Sequence, residues 1–242
     1  MDRDLDNRHT EIDGVLEEQT AYYEARAAEY EDCYLRRGRY DTGPAENAAW
    51  FVETARLEAA AEKFDASGTV LELACGTGLW TRFLAPRAKR LVAVDNAANV
   101  LELNRRRYGA ANVEYEQADI FDWAPSPQDR FDAIFSGFFI SHIPPALFEG
   151  FWNDLRSWLS PGGSVFFCDD AAGSARPYCG ERVDEAPDYA LKRGLTDGRE
   201  FTIVKVFYDA GELTNTLDGL GWNADIATTG KLFMYGTATP KS

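Results

Sequence analysis

Glu72, Gly76, Gly78, Asp95, Asp119 and His142 are the residues of this chain whose types and spacing could do chemistry. Thr69-Val70-Leu71-Glu72-Leu73 is an apolar-rich run that suits a strand buried on both faces. The run breaks at Gly76 and Gly78, and a helix-like pattern resumes through Phe83 and Leu84. A strand, a tight glycine turn and a helix start together point backbone N–H groups at a ligand. A dinucleotide fingerprint would place a third glycine where this chain has Thr81. A phosphate-binding P-loop would end in Gly-Lys-Ser/Thr, which Leu79-Trp80-Thr81 does not supply. Asp95 ends the next apolar run about 20 residues beyond the turn, the separation at which an acid holds ribose hydroxyls. Capping the helix that starts at Asn96 is its structural alternative.

The pattern Glu72-x-x-x-Gly76-x-Gly78 resembles the first motif of the class I methyltransferases that use S-adenosylmethionine. The resemblance continues, in order, through residues 91–96, 117–121 and 131–135. It implies an α/β fold with a Rossmann-like seven-stranded sheet of order 3-2-1-4-5-7-6, its last strand antiparallel. Helices on both faces and an N-terminal helical lid complete it. S-adenosylmethionine would be the cofactor and S-adenosylhomocysteine its product. The matching positions put Ala74, Cys75, Gly76, Thr77, Gly78 and Trp80 in the glycine turn, and Asp95 and Asn96 at the ribose. Asp119, Ile120 and Phe121 fall at the adenine, with Asp122 replacing Asp119 if the register slips. Ser136 and Phe138 follow the fourth strand. Tyr23, Arg26 and Tyr30 share one face of a helix. They read as a lid on the methionine end of the cofactor, Arg26 toward its carboxylate, or as an amphipathic helix covering the sheet.

Four strings resemble, more narrowly, the small-molecule phosphonate O-methyltransferases of the dehydrophos pathway, over most of residues 20–237. They are Tyr22-Tyr23-x-x-Arg26-Ala27-x-Glu29-Tyr30, the glycine turn through Thr81, Asp119-x-Phe121-Asp122-Trp123, and Asp197-Gly198-Arg199 through Phe207. That resemblance implies a small anionic acceptor held by Arg193 and Lys205, with Tyr22 beside it. Pairing of Lys205 with a structural acid, and a solvated Arg193, are the alternatives. The loop 36–44 and the helix after it depart from the pattern where they would roof the acceptor. An ionised phosphonate or carboxylate oxygen needs no general base. A hydroxyl, phenol or amine would need one, from His142, Asp169 or Asp170. His142 can equally pack beneath its loop. An N- or C-methyltransferase and a non-catalytic cofactor-binding domain are the rival functions.

A net charge of −15 argues against wide nucleic-acid or anionic-membrane surfaces. No apolar run approaches the ~20 residues of a membrane span, and Met1-Asp2-Arg3-Asp4-Leu5-Asp6 has no apolar core of a signal peptide. Cys33, Cys75, Cys168 and Cys179 form no C-x-x-C pair. These features predict a cytoplasmic, metal-independent enzyme of one domain, a monomer or homodimer acting on a small molecule. Its expected layout is a flexible start over 1–14, a helical lid over 15–64 and a core over 65–237. Within the lid, helices are expected at 15–35 and 45–64. A substrate-side insertion at 169–199 should precede the sixth strand at 201–208 and the last strand at 231–237.

Overall fold

The computed structural model describes residues 2–174, 181–182 and 187–241. Helix α1 (Asp2–Arg26) opens the chain. It starts well before the expected position because residues 2–13 hold neither glycine nor proline to interrupt helical hydrogen bonding. It also stops sooner than expected. Ala27 packs on Ala97 and Val100, the chain turns, and a separate short helix α2 (Tyr30–Tyr34) follows. α3 (Pro44–Lys63) begins with proline at its first turn and buries Trp50, Thr54, Leu57 and Ala61 along one stripe.

The core then alternates β1 (Thr69–Leu73), α4 (Thr81–Leu84), β2 (Arg90–Asp95), α5 (Ala98–Tyr108), β3 (Val113–Gln117), β4 (Phe131–Gly137), α6 (Pro145–Trp158) and β5 (Leu159–Asp170). β6 (Glu181–Arg182), β7 (Ala190–Gly194), β8 (Glu200–Val204), α7 (Ala210–Gly219), β9 (Trp222–Thr228) and β10 (Phe233–Pro240) complete the chain. Seven strands form one sheet in the order β3-β2-β1-β4-β5-β10-β9, with β10 antiparallel to both neighbours. This is the α/β arrangement that the motifs implied. Alternate residues of the central strands face opposite layers. Leu71, Leu73, Ile134, Val165 and Phe167 meet α6 and α7, while Val70, Leu91, Ala133, Phe135 and Phe166 meet α3 and α4.

The sixth strand of the sheet is β9, not the expected segment 201–208. Its first part, through Val204, instead lies in β8, which pairs with β7 around a turn at Asp197 and Gly198 and builds a separate three-stranded sheet with β6. Leu195 N donates to Arg199 O across the turn, and Gly198 takes a φ of +88°. Residues 160–163 lie inside β5, where its pairing with β4 is irregular and Gly162 takes a φ of +83°.

The small sheet is fastened to α1. Tyr22 packs with Leu191, Leu195 and Ile203. Glu18 accepts from Thr202 N at 2.6 Å and Gln19 Oε1 from Val204 N at 3.0 Å. Helix side chains thereby satisfy the open edge of β8. Among the described residues no helix is long and apolar enough to cross a membrane.

Candidate active site

The glycine turn is built around backbone that few residues adopt. Ala74, Gly76 and Gly78 have φ of 51°, 55° and 97°. A Cβ on Gly78 would lie 2.3 Å from the Tyr108 ring, so only glycine fits there. Beneath the turn, Asn104 Nδ2 donates to Gly76 O at 3.2 Å and to Thr81 Oγ1 at 2.8 Å, and Thr81 donates to Glu72 Oε2 at 2.7 Å. Thr81, standing where a dinucleotide fold has its third glycine, thus braces the loop from behind.

Burial pushes the Glu72 carboxyl up to about 8, and the charge of Asp95 adds to the shift. An unfolded glutamate titrates near ~4.3. Between those values the folded chain keeps a proton that the unfolded chain has lost, so stability falls as pH rises. Glu72→Gln is expected to match wild type near pH ~4.5 and exceed its stability by about 1–3 kcal/mol near pH ~8. Urea melts at the two pH values read this directly. A difference that does not change with pH would assign the effect to packing instead.

Above the turn lies a cavity beneath α1. Tyr23, Tyr30, Ala74, Gly76, Thr77, Asp95, Asn96, Asp119, Ile120, Phe121 and Phe138 all line it. Asp95 accepts from Gly76 N at 2.9 Å and Ala97 N at 3.0 Å, and burial raises its carboxyl from the ordinary value. Asp119 caps its own turn by accepting from Phe121 N at 3.0 Å, whereas Asp122 is exposed and outside the cavity. Thr77 Oγ1 is buried without a hydrogen-bond partner. Leu16, Gln19, Thr20 and Ala27 also line the cavity and were not anticipated. Their spacing with Tyr23 follows one helix face, a signal present in the sequence.

Five expected site residues line neither this cavity nor the next. Cys75 packs with Ala93 and Leu101, and Gly78 abuts Tyr108. Trp80 stacks among Phe83, Phe135 and Phe138. Ser136 is buried, with its Oγ unpartnered, and Tyr22 faces the small sheet.

A second cavity adjoins the first and shares Tyr23, Tyr30, Phe138 and His142 with it. Arg26, Arg193, Lys205 and Asp170 line only this one. Arg26 therefore faces the second cavity rather than the turn. Its guanidinium lies 5.0 Å over the Tyr30 ring and 5.6 Å over the Tyr22 ring. Arg26 and Arg193 are 6% and 9% exposed, and the Nε of each is buried without a partner. Neither is ion-paired among the described residues. Lys205 differs: Nζ donates to Ser141 Oγ at 2.7 Å and lies 3.1 Å and 2.9 Å from the carboxylates of Asp169 and Asp170. Its charge is already balanced within the protein.

His142 sits at the boundary of the two cavities. Its Nδ1 lies 2.6 Å from Val204 O, an acceptor only, so Nδ1 carries the proton. Nε2 then accepts from Tyr23 OH at 2.8 Å. Burial, and after it the charge of Lys205, push the imidazole down to about 3. His142 is therefore neutral over the ordinary range, and its free lone pair is taken. The rate is expected to show no step belonging to this residue between about pH 5.5 and 8. Comparing wild-type and His142→Gln profiles tests this, and a step near neutrality lost in the variant would restore the base.

The sheet order, the glycine turn and the paired cavities together define a class I methyltransferase. A methyltransferase-domain family model matches residues 70–163. The chain resembles the DhpI–SAH complex at 37% identity and a TM-score of 0.74, covering 94% of this chain and 98% of that one. The DhpI–SAM–HEP complex is 38% identical, with the same TM-score of 0.74 and the same coverages of 94% and 98%. A demethylmenaquinone methyltransferase of Clavibacter sepedonicus is 34% identical over 50% of this chain and 46% of its own length. A malonyl-[acyl-carrier protein] O-methyltransferase of Serratia marcescens is 35% identical over 43% and 39%. The match thus spans less than half the length of these curated relatives. The chain belongs to the S-adenosylmethionine-dependent class I methyltransferases, and it resembles DhpI over nearly its whole length.

Proposed function

We propose that this enzyme methylates an oxygen of a small anionic metabolite or natural-product intermediate, a phosphonate or carboxylate, in the cytoplasm. One observation carries the reading. Arg26 and Arg193 are buried guanidiniums, unpaired among the described residues, in a chain of net charge −15. Leaving such groups uncompensated costs several kcal/mol per ion, roughly. An acid in the second cavity offsets that cost, and the planar fork of arginine suits carboxylate and phosphonate oxygens.

The first cavity fits the cofactor. The Asp95 carboxylate keeps acceptor capacity for two ribose hydroxyls, Asp119 stands at the adenine end, and the orphaned Thr77 hydroxyl offers a polar contact. When bound, S-adenosylmethionine supplies an electrophilic methyl group. An acid oxygen held where the two cavities meet would receive the methyl group, with the leaving electron pair remaining on the cofactor sulfur. An ionised oxygen releases no proton, which agrees with the occupied, neutral His142. The protein's part is to hold the acid in line at the wall shared by the cavities and to exclude water. Tyr23, donating to His142, keeps its hydroxyl at that wall.

The test is methyl transfer from labelled cofactor to a panel of phosphonates, carboxylates, phenols and amines. Transfer to acids supports the reading. Transfer to amines or phenols alone would overturn it.

A further inference from the structure

Cys33 brings a nucleophile to the cavity that holds the two guanidiniums. Tyr30, Cys33 and Tyr34 share one face of α2, and all three line the second cavity. The Cys33 thiol is free and half-buried, and the residue does not line the first cavity. Arg26 and Arg193, each about nine-tenths buried or more with an unpartnered Nε, line the second cavity beside it. Burial lowers the Arg26 guanidinium, while Tyr22 and then Cys33, when ionised, raise it well above its ordinary value. A charged guanidinium and a thiol therefore act on each other across this wall. The other described cysteines offer no such site. Cys75 and Cys168 are 4% and 0% exposed, and burial pushes both thiols well up, away from the reactive thiolate.

From this geometry we infer that Cys33 is a modification site inside the acceptor cavity, selective for small electrophilic acids. The inference rests on the acid reading above and adds a covalent route that closes the acceptor cavity while the cofactor cavity stays open. An α-halo acid illustrates the step. Arg26 and Arg193 hold its carboxylate, and the Cys33 thiolate attacks the adjacent carbon. A sulfur–carbon bond forms, the carbon–halogen bond breaks with its electron pair leaving on halide, and the thiol proton goes to water. The neutral amide of the same reagent lacks this hold, so its rate measures the thiol alone. In a chain of net charge −15 the long-range field repels an acid, so a preference for the acid reads the local cations.

The experiment treats the S-adenosylhomocysteine-loaded protein with iodoacetate or iodoacetamide and follows labelling at Cys33 by mass spectrometry. The ratio of the iodoacetate rate to the iodoacetamide rate is expected to exceed the ratio at the same residue in urea by about 10- to 100-fold, the worth of one hydrogen bond to a charged group. Methylphosphonate should slow the iodoacetate reaction. Arg193→Met and, as an independent second variant, Arg26→Met should each lower the ratio by about tenfold or more. Carboxymethylated protein should lose calorimetric binding of methylphosphonate and keep its affinity for S-adenosylhomocysteine. A ratio no higher than in urea, with methylphosphonate still binding the unmodified protein, would overturn the modification site and leave the acid reading in place. Absence of methylphosphonate binding as well would overturn both. Labelling that methylphosphonate does not slow would put Cys33 out of reach of the held acid and overturn the inference.

Discussion

Replacing Arg193 by methionine is expected to reduce kcat/KM for an acid acceptor by roughly 30- to 4,000-fold, because truncating one member of a buried charge pair costs about 2–5 kcal/mol. Methionine keeps much of the side-chain volume, so the packing of β7 on α1 should survive. Cofactor affinity should hold, since Arg193 lines only the second cavity. Without ligand, the same substitution removes a buried guanidinium that nothing described balances. The free protein should therefore melt at a higher temperature, the exchange of stability for function expected at a site that stores cost. Kinetics, cofactor titration and thermal melts on one variant separate the cases. Loss of activity together with loss of stability would show that Arg193 holds the small sheet rather than the acceptor. Arg193→Lys should recover only part of the rate, since a point charge cannot make the two parallel hydrogen bonds of the fork.

The contrast between Arg193 and Lys205 could not be read from the chain. Both sit near apolar strand residues, and only folding places Asp169 and Asp170 against one and no described carboxylate against the other. Long-range juxtaposition also hides the meeting of Cys33 with Arg26 and Arg193, which reach one cavity from three different elements. By contrast, β1, β2 and β4 were legible because strands buried on both faces read as continuous apolar runs. The glycine turn was legible because its backbone needs glycine locally. The misplaced sixth strand has a specific cause. Trp222, Ala224 and Ile226 alternate with Asn223 and Asp225, a half-exposed edge strand hidden behind the end of α7. Meanwhile Asp197-Gly198 is a hairpin signal, and its partner strand 190–194 lay within the stretch expected as a substrate-side insertion. Periodicity identifies that a segment is extended, not which sheet receives it.

Asp95→Ala is expected to weaken cofactor binding by about one to three powers of ten. Each hydrogen bond to a carboxylate contributes about 1.5–3 kcal/mol, and the ribose offers two hydroxyls. The carboxylate also holds the glycine turn through Gly76 N and the start of α5 through Ala97 N. Removing it therefore loosens the cradle as well as the contact, and some loss of melting temperature should accompany the loss of affinity. Asp95→Asn separates these roles, because its amide oxygen can still accept from one of the two backbone donors while the charge is gone. The carboxyl is raised by burial, and hydrogen bonds from the diol favour its ionised form. Cofactor affinity in wild type should accordingly fall as pH drops through that raised value, because protonation removes an acceptor. The asparagine variant should show a weaker but flat profile. Calorimetric titration of S-adenosylhomocysteine across the acid range reads both effects. If the variant bound as tightly as wild type and merely melted lower, Asp95 would be a brace for the turn and nothing more.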